Sequence, residues 1–189
     1  MKAKLLPLLL FAFATNAFAA LDTPTEDFTD NGDGTVTHKK TGLTWQRCSV
    51  GQTWTGSSCS GTASTFTFDQ ANALTSNFAG RTDWQLPRID ELNSITEHDK
   101  YSPAINTAMF PNTPIDSSIG FWSSTNGQNF DVAWIVNPVD GGISAPSKTN
   151  KNTVRLASGS KSLNSSSEYT PVDDFINNRE ARLHIIKQV

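Results

Sequence analysis

The chain is short of the residues from which catalytic and metal chemistry is usually built. Its 189 residues include two cysteines and three histidines, and charged side chains make up only 17%. Cys48 and Cys59, with His38 as the nearest histidine, do not supply a zinc ligand set, and no Cys-x-x-Cys occurs. The G-x-S-x-G, H-E-x-x-H and G-x-x-x-x-G-K-[ST] patterns are also missing. Beyond the N-terminal segment no apolar run approaches the roughly 18 residues that a membrane-spanning helix needs. Fifteen Lys+Arg against 18 Asp+Glu give a formal charge of −3, which removes the electrostatic case for nucleic acid or an anionic membrane.

What the chain does have is aromatic bulk. It is 37% hydrophobic and 10% aromatic, with five tryptophans, so enough apolar surface is available to offset the entropy of ordering the chain. The length suits one ordinary domain of about 140 residues once the ends are set aside.

Residues 1–19 read as a secretory signal. Lys2 and Lys4 carry the charge, residues 5–13 the apolar run, and Ala17-Phe18-Ala19 the small-x-small cleavage pattern. Cleavage there takes the formal charge from −3 to −5. No cysteine lies near the cut, so a lipid anchor is not expected. In an exported chain, Cys48 and Cys59 read as one local disulfide, and closing so short a loop contributes about 3 kcal/mol.

At the other end, Thr170-Pro171-Val172-Asp173-Asp174-Phe175 echoes Thr23-Pro24-Thr25-Glu26-Asp27-Phe28. A codon string compatible with residues 179–189, with one base restored and one changed, nearly repeats residues 32–42. Residues 160–189 are therefore expected to be a linker and tail, and the frame-shifted start of a second tandem copy.

Between the ends, the residue pattern predicts an α+β domain over 20–159. Asn31-Gly32-Asp33-Gly34 is a turn, followed by a hairpin of residues 35–37 and 43–46. Thr67 and Gln70 form a capping box, and Ala71, Leu74 and Phe78 fall on one helical face that Gly80 would stop. Pro87 with Ile89, Leu92 and Ile95 predicts a second short helix. Residues 121–125 read as a strand, and residues 132–136 and 142–144 flank an Asp140-Gly141 hairpin turn. Residues 153–156 would close the sheet.

Asp33-Gly34-Thr35-Val36-Thr37, Thr41-Gly42-Leu43-Thr44-Trp45-Gln46, Asp83-Trp84-Gln85-Leu86-Pro87, Glu91-Leu92, Phe110-Pro111, Trp122-Ser123-Ser124-Thr125, Ala133-Trp134 and Val154-Arg155 follow one another in order. This series resembles the Lcl C-terminal domain family of exported bacterial domains, over roughly residues 28–157. The resemblance implies a distant C-type-lectin-like fold: antiparallel strands, two short helices and the local disulfide. The member that names the family is a collagen-like adhesin whose C-terminal domain binds sulfated glycans, so adhesin-like glycan recognition is implied too, and a trimer is allowed.

The residues themselves point first to structure. Trp45, Trp84, Trp122 and Trp134 lie in apolar or strand-like settings and are expected in the core. Trp54, in the bridged Gly/Ser-rich loop, is the candidate sugar-stacking platform. Glu91 is expected to bond backbone donors at a helix start, and Arg155 to be a strand-edge or ion-pair residue. Asp30-Asn31-Gly32-Asp33-Gly34 has the look of a calcium loop, but Thr29 and Lys40 stand where acidic ligands belong. The Glu-Pro-Asn, Gln-Pro-Asp and Trp-Asn-Asp strings of calcium-dependent lectins are absent, and no metal or cofactor is expected. Adjacent Asp90 and Glu91 would point apart on a helix and do not form a glycosidase pair. Between residues 20 and 159, nine basic residues face fourteen acidic ones. A basic patch would have to come from Lys148, Lys151 and Arg155, with Lys39 and Lys40. The sequence reading is a non-catalytic exported binding domain, periplasmic or extracellular, with ligand residues Trp54, Lys148, Lys151, Asn126 and Asn129. A protein–protein module of a tandem surface protein and a thiol-oxidising enzyme are the alternatives.

Overall fold

The computed structural model describes residues 23–159; the signal-peptide and tandem-copy readings lie outside the described residues. The Asn31-Gly32-Asp33-Gly34 turn forms because Asp30 and Asp33 cap their own backbone. Asp30 Oδ1 accepts the Gly32 N–H at 2.9 Å, and Asp33 Oδ1 accepts the Thr35 N–H at 3.0 Å. This turn joins β1 (Phe28–Asp30), a strand the sequence reading did not foresee, to β2 (Thr35–His38). β2 pairs with β3 (Thr44–Gln46) in the expected antiparallel hairpin, with Val36 opposite Trp45. Both of those side chains are fully buried.

Inside the disulfide loop, β4 (Thr53–Trp54) and β5 (Cys59–Ser60) make a two-stranded ribbon. The bridge is present, with the Cα atoms of Cys48 and Cys59 5.5 Å apart. α1 (Phe68–Asn72) starts on the expected capping box: Thr67 N–H donates to Gln70 Oε1 at 3.0 Å, and the Gln70 N–H approaches Thr67 Oγ1 at 3.5 Å. It stops well short of Gly80. Its last turn tightens as the Ala73 N–H reaches Ala71 O and Asp69 O, and the low helix propensity of Thr75-Ser76-Asn77 does not carry it further. Leu74 and Phe78 still pack on the core, but from an irregular arm. α2 (Ile89–Asn93) is equally short, since the Ser94 hydroxyl turns back onto Glu91 O at 2.6 Å.

The second main sheet contains β6 (Phe121–Asn126), β7 (Ala133–Val136) and β8 (Ile143–Ser144), with the β7–β8 connection turning at Gly141, φ +71°. The last strand, β9 (Ala157–Ser158), adds to β3 and completes the order β1-β2-β3-β9. Residues 153–156 are not that strand. They form a seam between the sheets: Thr153 bonds Gly120 and Trp122 on one side, while Val154 and Leu156 accept from Val50 and Gln46 on the other. The result is mainly antiparallel strands in three sheets with two small helices.

Two clusters make the core. One gathers Val36, Trp45, Ile89, Ile95 and Phe110; the other gathers Trp84, Trp122, Ile135, Val154 and Leu156. Trp45 and Trp122 are completely buried and Trp84 nearly so. Each such ring removes roughly 200 Å² from water, at about 25 cal/mol per Å² an upper bound near 5 kcal/mol. Two of the indole N–H groups find partners inside, Trp122 Nε1 donating to Phe66 O at 2.8 Å and Trp84 Nε1 to Phe78 O at 3.0 Å, whereas Trp45 Nε1 is buried without a hydrogen-bond partner among the described residues. Trp134 departs from expectation, being only part-buried against the first cluster.

Candidate functional site

Trp54 owes its position to the bridge and to one glycine. The disulfide ties Cys59, the residue opposite Trp54 in the ribbon, to Cys48, and Gly34, at φ +89°, lets the chain pass close to the ring. A Cβ on Gly34 would stand 2.9 Å from both Trp54 and Phe78. Arg47 holds the indole by placing its guanidinium 4.4 Å from the ring centroid. That arginine is itself buried, donating to Asp30 Oδ2 at 2.7 Å, Met109 O at 2.9 Å and Ala108 O at 2.6 Å. Trp54 is thereby half-buried rather than a free-standing platform.

Beside it opens a cavity of about 240 Å³. Its walls come from β3, the bridged loop and the arm after α1. Val50, Trp54, Leu74, Phe78 and Leu156 are apolar, and Gln46, Ser49, Gln52, Thr75, Ser76 and Asn77 are polar. No Asp, Glu, Lys, Arg or His lines it, and Cys48 is held in the disulfide. Gln46 Nε2 ties the arm to β3 by donating to Ser76 Oγ at 3.2 Å. Among the described residues the Thr75 and Asn77 side chains bond to no other protein group, so both are available to a ligand. Sequence reasoning missed this wall by assigning Leu74 and Phe78 to a helix; the Thr75-Ser76-Asn77 run was the available signal.

The other candidate residues form a separate neighbourhood at the β6–β7 loop. Asn126 and Asn129 are exposed there, and Asn129 Oδ1 accepts the Asp131 N–H at 3.1 Å. Lys148 joins them through its N–H to Asp131 O at 2.8 Å, while its ammonium lies 4.8 Å from the Phe68 ring centroid. Lys151 is exposed nearby in sequence, beyond a turn closed by Asn150 N–H to Ser147 O at 2.9 Å.

The larger basic patch does not form. Arg155 is fully buried, not at a strand edge, and among the described residues no carboxylate pairs with it. It donates to Gln46 O at 3.1 Å, to Thr113 Oγ1 at 3.0 Å and closely to Arg47 O, between the rings of Phe110 and Phe121. Burial pulls its pKa down to about 9, which leaves it protonated at neutral pH. Lys39 is taken up by Glu26 O at 2.6 Å and Lys40 by Asp27 at 2.6 Å.

The remaining ionisable candidates also hold structure. Asp30 and Asp33 cap the turn, and Asp30 also pairs with Arg47. Glu91 Oε2 accepts the Arg88 N–H at 2.8 Å, the helix-start role expected of it, and Asp90 pairs with Arg88 Nε at 3.1 Å. His38 is buried against Phe28, its ring Nδ1 3.1 Å from Thr41 Oγ1. Desolvation lowers its pKa, Asp27 partly raises it, and Lys40 lowers it further.

The family model described as the Lcl C-terminal domain matches residues 34–158, the span from the glycine beneath Trp54 to the end of β9. No curated protein matches the chain.

Proposed function

Since the chain belongs to the Lcl C-terminal domain family, we propose that it is an exported, non-catalytic recognition domain, distantly C-type-lectin-like in fold, that binds a glycan at a bacterial surface or in the periplasm. One observation carries this reading: the cavity at Trp54 is walled by aromatic, amide and hydroxyl groups and contains no ionisable side chain. Such a lining can recognise shape and hydroxyl patterns, but it offers no general acid or base, and so no group to activate its Ser and Thr hydroxyls as nucleophiles. The Cys48–Cys59 bridge supports export, because disulfides persist in oxidising compartments.

A protein–protein module is the second reading, favoured by Phe130, which is 95% exposed in the β6–β7 loop. A glycan array probed with the exported chain, at low and high salt and with EDTA, tests the first reading. Binding to a defined glycan set supports it. Silence across the array refutes it and favours a protein partner.

A further inference from the structure

We infer that the cavity beside Trp54 binds an uncharged, polyhydroxylated ring, that is, one neutral sugar residue of a larger glycan; this rests on the glycan-recognition reading and assigns its site and ligand class. A charged group entering the cavity would lose water without gaining an opposite charge, because no lining side chain is ionisable. The two cations bonded behind its walls are both buried and already engaged: Arg47 by Asp30 and two carbonyls, and Arg155 by Gln46 O, Arg47 O and the hydroxyls of Ser49 and Thr113. A purely apolar ligand fits no better, since it would strip water from Gln46, Thr75, Ser76 and Asn77 without replacing it.

A sugar ring meets both requirements. Its C–H face packs on Trp54, Leu74 and Phe78, while its hydroxyls both donate and accept, as the facing amides and hydroxyls do. Size agrees. About 240 Å³ falls just below the ~300 Å³ at which pockets for drug-sized ligands begin, which suits a single ring. The site is also preformed: the disulfide, the Gly34 crossing and the Arg47 contact hold Trp54 without a ligand, so little ordering cost falls on binding.

The test compares the unmodified chain with Trp54→Ala and with Thr75→Ala/Asn77→Ala on an array of neutral, sialylated and sulfated oligosaccharides, in low and high salt. The double variant changes two exposed side chains that bond to no protein group, so it remains informative if Trp54→Ala unfolds. The expected result is binding to neutral glycans that changes little with salt and weakens at least ~10-fold in either folded variant. Binding confined to sulfated or sialylated glycans, lost in salt and indifferent to both variants, overturns this inference and leaves the glycan reading standing. No binding to any glycan overturns both.

Discussion

Replacing Arg155 by methionine removes a buried cation while keeping most of its bulk. The guanidinium bonds Gln46 O, Arg47 O and Thr113 Oγ1, tying the seam after β8 to the exit of β3 and to the turn after Phe110. Hydrogen bonds to a charged group are worth about 1.5–3 kcal/mol each, but much of that gain offsets the several kcal/mol lost in burying the ion. The larger consequence is for the acceptors. Two backbone carbonyls would remain in the interior without their donor, at about 1–3 kcal/mol each. A net loss of about 3–4 kcal/mol follows, or roughly 10–15 °C in Tm for a domain of this size. Urea and thermal unfolding measure it directly. Arg155→Lys should recover less than half, because one ammonium cannot span acceptors on separate segments. The reasoning fails if the methionine variant lies within about 1 kcal/mol of the parent, or if lysine restores full stability.

Two further perturbations probe other parts of the fold. His38 is held below its usual pKa by burial, so the unfolded chain takes up the proton first; stability should be complete above the unfolded value of about 6.5 and fall as pH drops below it. Urea unfolding between pH 5 and pH 7.5 should show that loss, and a flatter dependence in His38→Gln; equal pH dependence in both proteins would contradict it. Gly34→Ala adds both a strained φ of +89° and a Cβ 2.9 Å from Trp54 and Phe78, whereas Gly42→Ala, at φ +74°, meets nothing within 4 Å. The first should cost about 2 kcal/mol or more and shift the indole emission, the second about 1 kcal/mol without a shift; equal effects would mean the close approach is unimportant.

Local rules made much of this fold readable. The Asx-capped turn, the β2–β3 hairpin, the Thr67–Gln70 box and the Glu91 helix start each depend on residues within a few positions of one another. Non-local partners were less legible. Arg155 looked like a surface cation because its acceptors, Gln46 and Arg47, are more than a hundred positions away in the chain. β9 was displaced from 153–156 because those residues bond two different sheets, which alternation along one strand does not encode. The string Asp83-Trp84-Gln85-Leu86-Pro87 hid a similar link: Asp83 Oδ2 accepts from the Ser158 hydroxyl at 2.7 Å and holds the final strand. At the candidate site, Trp54 was found from its loop, but the wall opposite it was concealed by helical spacing that Thr75-Ser76-Asn77 interrupt.

The most direct measurement is a titration of the isotopically labelled chain with a neutral oligosaccharide, followed by two-dimensional NMR of the backbone and indole N–H signals. The Trp54 indole and the Thr75 and Asn77 amides should move together and saturate, while Trp45, Trp84 and Trp122, sealed in the core, and the signals of Lys148 and Asn129 stay in place. Shifts confined to the β6–β7 loop and Lys148, with Trp54 unmoved at saturation, would place recognition elsewhere and contradict the account.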